Sequence, residues 1–327
     1  MRARGRAWSL GLGIVAAGCP EGGEGDGGGS VGTSTADSGS TAASTDSSTT
    51  QAMPDGSSGE SSSSSGGGLD FPPGEFDLLT YNVAGLPQGI SSSNPEQNIP
   101  QISPLLDAFD LVLVQEDFWY HEQLSAEVTL PYASMPWSEM PTLEDIGDGL
   151  NRFGIHPFVD HERVAWYDCH GTVDCASDCL ATKGWSFART TLAEGVEVDV
   201  YNLHMEAGGC PEDIEIRTNA AQDLVDAIAE RSSGRAVIVG GDFNLSAEDP
   251  EDVEPLGIIL EGAGLSDACD AVSCGDQRID HVMVRDGGGV ALRVQQWWIP
   301  EPFVDARSGE PLSDHLPVAV TLRFEPE

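Results

Sequence analysis

Basic residues are scarce: the 327-residue chain carries 15 Lys and Arg against 54 Asp and Glu, a formal net charge of −39. Lys183 is its only lysine. This balance gives a strongly negative, soluble surface. It excludes broad electrostatic capture of nucleic acid, which depends on Lys and Arg neutralising phosphates; a phosphate would need a local patch or bound cations. Long hydrophobic runs are also missing, since "WSLGLGIVAA" near the N-terminus is too short to span a bilayer. No repeat of 20 to 50 residues recurs, which excludes solenoids and propellers. Residues 19–68 have hardly an apolar side chain to bury and are mostly Gly, Ser, Thr, Ala and acids, the composition of a disordered tether. About fifty such residues reach roughly 40 Å.

The segment before the tether is of another kind. Arg2, Arg4 and Arg6 precede the short apolar stretch, and "AAGC" follows, an export signal over residues 1–18. Small residues directly before Cys19 resemble a bacterial lipoprotein signal, in which Cys19 is lipidated and anchors the chain to a membrane. Ala16 stands where that pattern prefers Leu, and plain secretory cleavage nearby is the other reading. Export means an oxidising compartment, so cysteines read as disulfides before metal ligands. The remaining Cys169, Cys175, Cys179, Cys210, Cys269 and Cys274 are even in number, and such a set admits about 15 pairings. Cys269 and Cys274 can close a small loop, and Cys210 can tie to the Cys169 to Cys179 cluster.

From residue 69 to 327 the pattern turns to short apolar runs between Gly, Pro and Asp. "FDLLTYNV", "DLVLVQE", "RVAWY", "WSFARTTL", "VEVDVYNL", "AVIVGG", "RIDHVMV", "ALRVQQWWI" and "PVAVTLRF" read as strands. "IPQISPLLDAF" puts Ile99, Ile102, Leu105, Leu106 and Phe109 on one helical face, with Pro104 able to shorten it. "PEDIEIRTNAAQDLVDAIAERS" opens with Pro211 and acids and repeats Ile214, Ala221, Leu224, Val225 and Ile228, a helix start and core stripe. Many strands with few helices between them predict an α/β domain of mixed sheets packed face to face. No internal linker divides it, and a monomer is expected. Adjacent Trp297 and Trp298 point to opposite faces of a strand, with core packing the favoured reading.

The apolar runs end on a consistent set of polar groups. "LLTYN" stops at Asn82, "LVLVQE" at Glu116, "VDVYNLH" at His204 and "VIVGGDFN" at Asp242 and Asn244; "RIDHVMV" carries Asp280, and "SDHLP" carries Asp314 and His315. Any one alone reads as a turn former or a structural hydrogen-bonding group. Turn chemistry does not explain why the set holds carboxylates, carboxamides and histidines. The set suits attack on a phosphate. A hard divalent cation takes oxygen ligands, and Glu116 is the first choice. Asparagine amides can hold a phosphoryl oxygen, and histidines move protons near neutral pH. If their segment is extended, the spacing of two turns Asp242 and Asn244 to the same face.

Taken in order, "TYNVAGLP", "VLVQE", "VYNLHMEAGG", "VGGDFNLS", "RIDHVMV" and "SDHLPVAV" resemble the endonuclease/exonuclease/phosphatase superfamily of deoxyribonuclease I, neutral sphingomyelinases and inositol polyphosphate 5-phosphatases. The resemblance implies a four-layered α/β sandwich of two mixed β-sheets flanked by helices. It also implies that Glu116, Asn82 and Asp314 hold Mg²⁺, with Mn²⁺ or another divalent cation as a substitute. His204 would contact the scissile phosphate, Asp242 and Asn244 would position water and a phosphoryl oxygen, and His315 would be the general base oriented by Asp280. "GDGLNRFGIHPF" keeps Gly149, Leu150 and Arg152 of a further motif without its serine, so Arg152 is a candidate for substrate contact, with an ordinary exposed arginine as the alternative. His281 stands where the family often has Tyr, and alternation sends it to the face opposite Asp280.

"NLHMEAGG" is nearest in style to the sphingomyelinase and deoxyribonuclease I branches. Export and a lipid anchor favour a phospholipid head group over nucleic acid as the phosphodiester. A secreted nuclease, an inositol-phosphate phosphatase and a non-catalytic surface protein are the other readings. The insertion from Trp166 to Trp185 either forms a lip that selects substrate or braces a loop, with bracing favoured.

Overall fold

Strand formation here follows the apolar runs, and the computed structural model describes residues 70–327 apart from 92, 144, 172–177 and 276–277. The expected export signal, Cys19, the tether, residue 69 and Cys175 lie outside the described residues. The strands are, in chain order, β1 (Gly74–Asn82), β2 (Leu111–Gln115), β3 (Tyr132–Ala133), β4 (Asn151–Gly154), β5 (Phe158–Ala165), β6 (Gly184–Ala193), β7 (Val196–His204), β8 (Val237–Asp242), β9 (Ser266–Asp267), β10 (Asp280–Arg285), β11 (Val290–Trp298) and β12 (Val318–Pro326). The α-helices are α1 (Pro95–Ile102), α2 (His121–Ser125), α3 (Pro211–Arg231), α4 (Val253–Ala263) and α5 (Ala268–Val272). None of the described helices is long and apolar enough to cross a membrane.

Two mixed sheets result, ordered β11-β12-β1-β2-β4-β3 and β5-β6-β7-β8-β10-β9. Alternation along each strand then sorts the apolar residues into three cores. Leu78, Leu113 and Val320 of one sheet meet Val198, Val200, Ile238 and Val282 of the other in the middle. On the far side of the first sheet Leu79, Tyr81, Val112 and Val114 pack under Ile99, Ile102 and Leu106. Beyond the second, Tyr201, Leu203, Val237 and Val239 pack under Leu224, Ile228, Leu256 and Ile259 of α3 and α4. Helix, sheet, sheet and helix make the four-layered α/β sandwich. Each such fully buried aliphatic side chain contributes about 1.5–3 kcal/mol.

Local chemistry explains the helix ends. Cys210 and Asp213 form a capping box at the start of α3, with Pro211 in its first turn and Arg231 in its last. The helix expected over residues 99–109 begins earlier and does not continue as one helix: α1 gives way to a 3-10 turn over Ser103–Ala108. Pro104 supplies no backbone N–H, which is why the winding tightens there. Trp297 and Trp298 leave opposite faces, one packing on the inter-sheet core and the other on the outer core.

Candidate active site

Parallel pairing brings strand ends with different polar residues to one edge. β1 and β2 run parallel with Asn82 beside Gln115, and β7 and β8 run parallel with His204 beside Asp242. β10 enters antiparallel with Asp280 beside Asp242. His204, Asp242 and Asp280 therefore form a row across three neighbouring strands. Clefts at the carboxyl ends of parallel strands are the usual ligand sites of α/β sheets.

Asp242 is the hub. Its Oδ2 accepts a 3.0 Å hydrogen bond from Asn82 Nδ2, with His204 Nε2 at 3.3 Å and His315 Nε2 at 3.6 Å. Its Oδ1 accepts the backbone N–H of Asn244 at 3.0 Å. Asn82 Nδ2 also donates to Glu116 Oε1 at 3.1 Å, which joins the two sheets through one amide. His315 donates from Nδ1 to Asp280 Oδ2 at 2.9 Å. Asp314 is exposed beside it, and its charge reaches Glu116.

Backbone conformation helps to aim these groups. Glu116 has φ 56° and Asn244 φ 50°, both left-handed, a conformation that costs a non-glycine residue free energy. Space for Glu116 is left by two glycines: a Cβ on Gly85 would lie 2.4 Å from Glu116 O, and one on Gly149 2.9 Å from its Cα. Asn244 is not part of an extended segment, so alternation is not what brings it beside Asp242. β8 ends at Asp242, and the turn held by the Asn244 N–H bond returns the amide, which donates to Met205 O at 3.0 Å.

The two histidines are driven apart in charge. Burial, then the positive fields of Lys183 and His315, hold His204 well below its ordinary pKa of 6.5, so it is neutral. For His315 burial acts the same way but Asp280 and Asp242 outweigh it, and the proton is held well above that value. Burial pushes the Glu116 and Asp242 carboxyls up, against the lowering action of Asn82, Lys183 and His315. Opposed environments for like groups mark sites of proton chemistry.

Arg152 is a correction. It is 2% exposed, its Nη2 donates to Thr190 Oγ1 at 2.8 Å, and its guanidinium lies 4.7 Å from the centre of the Phe158 ring. The side chain bridges the sheets in the interior, where burial lowers its pKa to about 9; it is neither a substrate contact nor an exposed arginine. His281 does face away from Asp280, bonding Asp267 Oδ2 and Leu245 O, each at 2.9 Å. Lys183 is the group that residue patterns did not single out for the site. It is buried, donates to Met205 O at 3.1 Å and acts on Glu116, His204 and Asp242. Being the only lysine of an acidic chain was its one visible signal.

The insertion braces the strand end that carries His204. Trp166 Nε1 donates to His204 O at 2.7 Å, and His170 N to Glu206 Oε1 at 2.7 Å. Cys169 pairs with Cys179 and Cys269 with Cys274, and Cys210 is disulfide-bonded as well. As a donor set, the half-buried carboxylate of Glu116 with the Asn82 amide suits a hard cation. Ligand atoms of Asp242, Asp280 and His315 also lie within 4.8 Å of one another.

Comparison with known proteins gives the family and the fold. A sequence profile described as "Endonuclease/Exonuclease/phosphatase family" matches residues 79–315. The sphingomyelinase of Mycobacterium tuberculosis is 34% identical over 277 residues, covering 78% of this chain and 54% of that protein. The chain thus spans about half the length of the curated relatives it matches. In fold it is similar to a Staphylococcus aureus beta toxin mutant with bound magnesium ions, with TM-score 0.55, 16% identity, and coverage of 76% of this chain and 99% of that one. It is also similar to D. rerio TDP2 complexed with a single-strand DNA product, with TM-score 0.57, 16% identity, and coverage of 76% and 98%.

Proposed function

The chain belongs to the endonuclease/exonuclease/phosphatase family, and from that premise we propose that it is an exported, lipid-anchored, Mg²⁺-dependent phosphodiesterase acting on a sphingomyelin-like phospholipid. The observation that carries this reading is the convergence of Asn82, His204 and His315 on the single carboxylate of Asp242 at the sheet edge. Export and anchoring rest on the N-terminal residues up to Cys19.

Glu116, with Asn82 and Asp314 beside it, would hold the ion. When bound, it would offset the charge of the phosphate and polarise a phosphoryl oxygen. Mn²⁺ offers the same oxygen-ligand chemistry. The residues do the rest. Asp242 and the Asn244 amide position the attacking water and a phosphoryl oxygen, and neutral His204 faces the scissile phosphate. His315, fixed through Nδ1 by Asp280, keeps Nε2 for the water's proton. Lys183 adds a fixed positive charge where negative charge grows on phosphorus.

The choice of a lipid rests on the mycobacterial sphingomyelinase as a relative and on a surface too poor in Lys and Arg to hold a polyanion. A panel tests it: the purified full chain with Mg²⁺ or EDTA against sphingomyelin, plasmid DNA and inositol phosphates. Phosphocholine release from sphingomyelin, abolished by EDTA, is the expected result. Nicking of DNA alone would replace the lipid with nucleic acid, release from inositol phosphates alone would make it a phosphatase, and turnover of none would leave a non-catalytic surface protein.

A further inference from the structure

A second concavity opens beside Glu116, with a chemistry unlike that of the phosphate site. Its volume is about 540 Å³, and among the described residues its lining includes Phe118, Trp119, Met135, Glu122, Glu139 and His121 but no Lys or Arg. Trp119 is 37% and Met135 69% exposed, so an aromatic face and a thioether are open to a ligand. His121 brings no net charge, because its Nδ1 lies 2.5 Å from Asp117 Oδ2 and the ring stacks on Phe153. What remains is the open ring of Trp119 beside buried Phe118, a polarisable sulfur and the carboxylates of Glu122 and Glu139.

The wall of this cavity is continuous with the metal-ligand turn. Phe118 N donates to Glu116 O at 2.9 Å, and Trp119 N to Gly85 O at 3.1 Å. Gly149 touches both sides, since a Cβ there would lie 2.6 Å from the Phe118 ring and 2.9 Å from Glu116 Cα. Phe118 Cα is thus within about 7.6 Å of Glu116 Cα, two trans peptide steps.

We infer that this cavity is a subsite for a quaternary ammonium group carried by the ester group that stays on the phosphorus when the phosphodiester is hydrolysed. Such a cation has no N–H to donate, so it is recognised by aromatic faces and nearby carboxylates. The lining supplies both. Its sulfur is soft and adaptable. The other large cavities differ: in one of 780 Å³ the guanidinium groups of Arg285, Arg293 and Arg323 are taken up by carboxylates and backbone carbonyls. The assignment rests on the phosphodiesterase reading above and names the head group that site would select.

Two measurements test it separately. In the first, the full chain is titrated with tetramethylammonium chloride and followed by NMR at the indole N–H resonance that disappears in Trp119→Leu. Movement of that resonance by tetramethylammonium, and not by the neutral isostere neopentane-like tert-butanol, is expected; equal movement by both, or by neither, would overturn the inference. In the second, KM for p-nitrophenyl phosphorylcholine is compared with KM for bis(p-nitrophenyl) phosphate. Trp119→Leu should raise that ratio about three- to thirtyfold, the range of a desolvated cation–π contact, and exposed Glu139→Gln should raise it in the same direction without threatening the fold. An unchanged ratio in both variants would overturn the subsite while leaving the phosphodiesterase intact. Tetramethylammonium binding in a protein that hydrolyses neither ester would support the subsite and refute the phosphodiesterase.

Discussion

Asp280 and His281 are consecutive on β10, and each completes a histidine–carboxylate pair on its own side of the sheet. Asp280 holds His315 at 2.9 Å; His281 is held by Asp267 at 2.9 Å. The pairs differ in what the second ring nitrogen meets. His281 Nε2 is spent on Leu245 O, and the ring sits edge-on to Phe243, so one nitrogen is tied to Asp267 and the other to the segment that follows Asp242 and Asn244. His315 Nε2 faces Asp242 at 3.6 Å, beyond a good hydrogen bond and open to a bridging atom. A histidine–carboxylate distance therefore does not identify a catalytic pair. In the proposed mechanism the nitrogen that His315 keeps open toward Asp242, and that His281 lacks, makes the difference.

Substitutions that treat the two pairs alike should separate them. The largest effect is expected for His315→Ala, a loss of at least about a hundredfold in kcat, the low end for a general base, with the circular dichroism spectrum unchanged. His281→Ala should leave kcat within about tenfold, since it removes support and no reacting group; matched losses in the two variants would erase the distinction. Glu116→Gln should raise the Mg²⁺ concentration for half-maximal activity by about ten- to a hundredfold, on the scale of supporting shells around metals. An unaltered metal titration would remove Glu116 from the ion.

pH sharpens the contrast. A base must be unprotonated, so kcat/KM should fall as pH drops through the raised pKa of His315, which lies above 6.5. Asp280→Asn removes the largest group raising it, and the acidic limb should move to lower pH; Asp267→Asn should leave the limb in place. The smallest effect concerns stability. Burial opposes the charge on His281, but Asp267 and Leu245 O outweigh it and raise its pKa. The stabilisation from this pair is then fully present below the unfolded pKa of about 6.5 and lost as pH rises through the higher folded value. Urea denaturation should show His281→Ala less stable by about 1–3 kcal/mol, with the gap to wild type narrowing as pH rises.

Much of this was legible because strands announce their ends. Apolar alternation stopping at Asn82, Glu116, His204 and Asp242 marks both the sheets and the edge where the site lies. What escaped depended on contacts between distant segments or on local breakers. β4 is only Asn151–Gly154, and its Arg152 reads as a surface residue until Thr190 of the other sheet is seen opposite it. α4 hides behind Pro255, Gly257 and Gly262, although Leu256, Ile259 and Ala263 form its buried face. Lys183 enters the site only because β6 pairs with β7, setting Gly184 opposite His204. The left-handed turn at Asn244 is a further case, since a spacing of two reads equally well as an extended strand.

The most direct test of the central claim, that this edge activates water against a phosphodiester phosphorus, is turnover of sphingomyelin with Mg²⁺ in heavy-oxygen water. Label should appear in the phosphocholine and not in the ceramide hydroxyl, and His315→Ala should abolish its incorporation to the same degree as turnover. Label in the ceramide hydroxyl, or Mg²⁺-dependent release that survives in His315→Ala, would contradict the account.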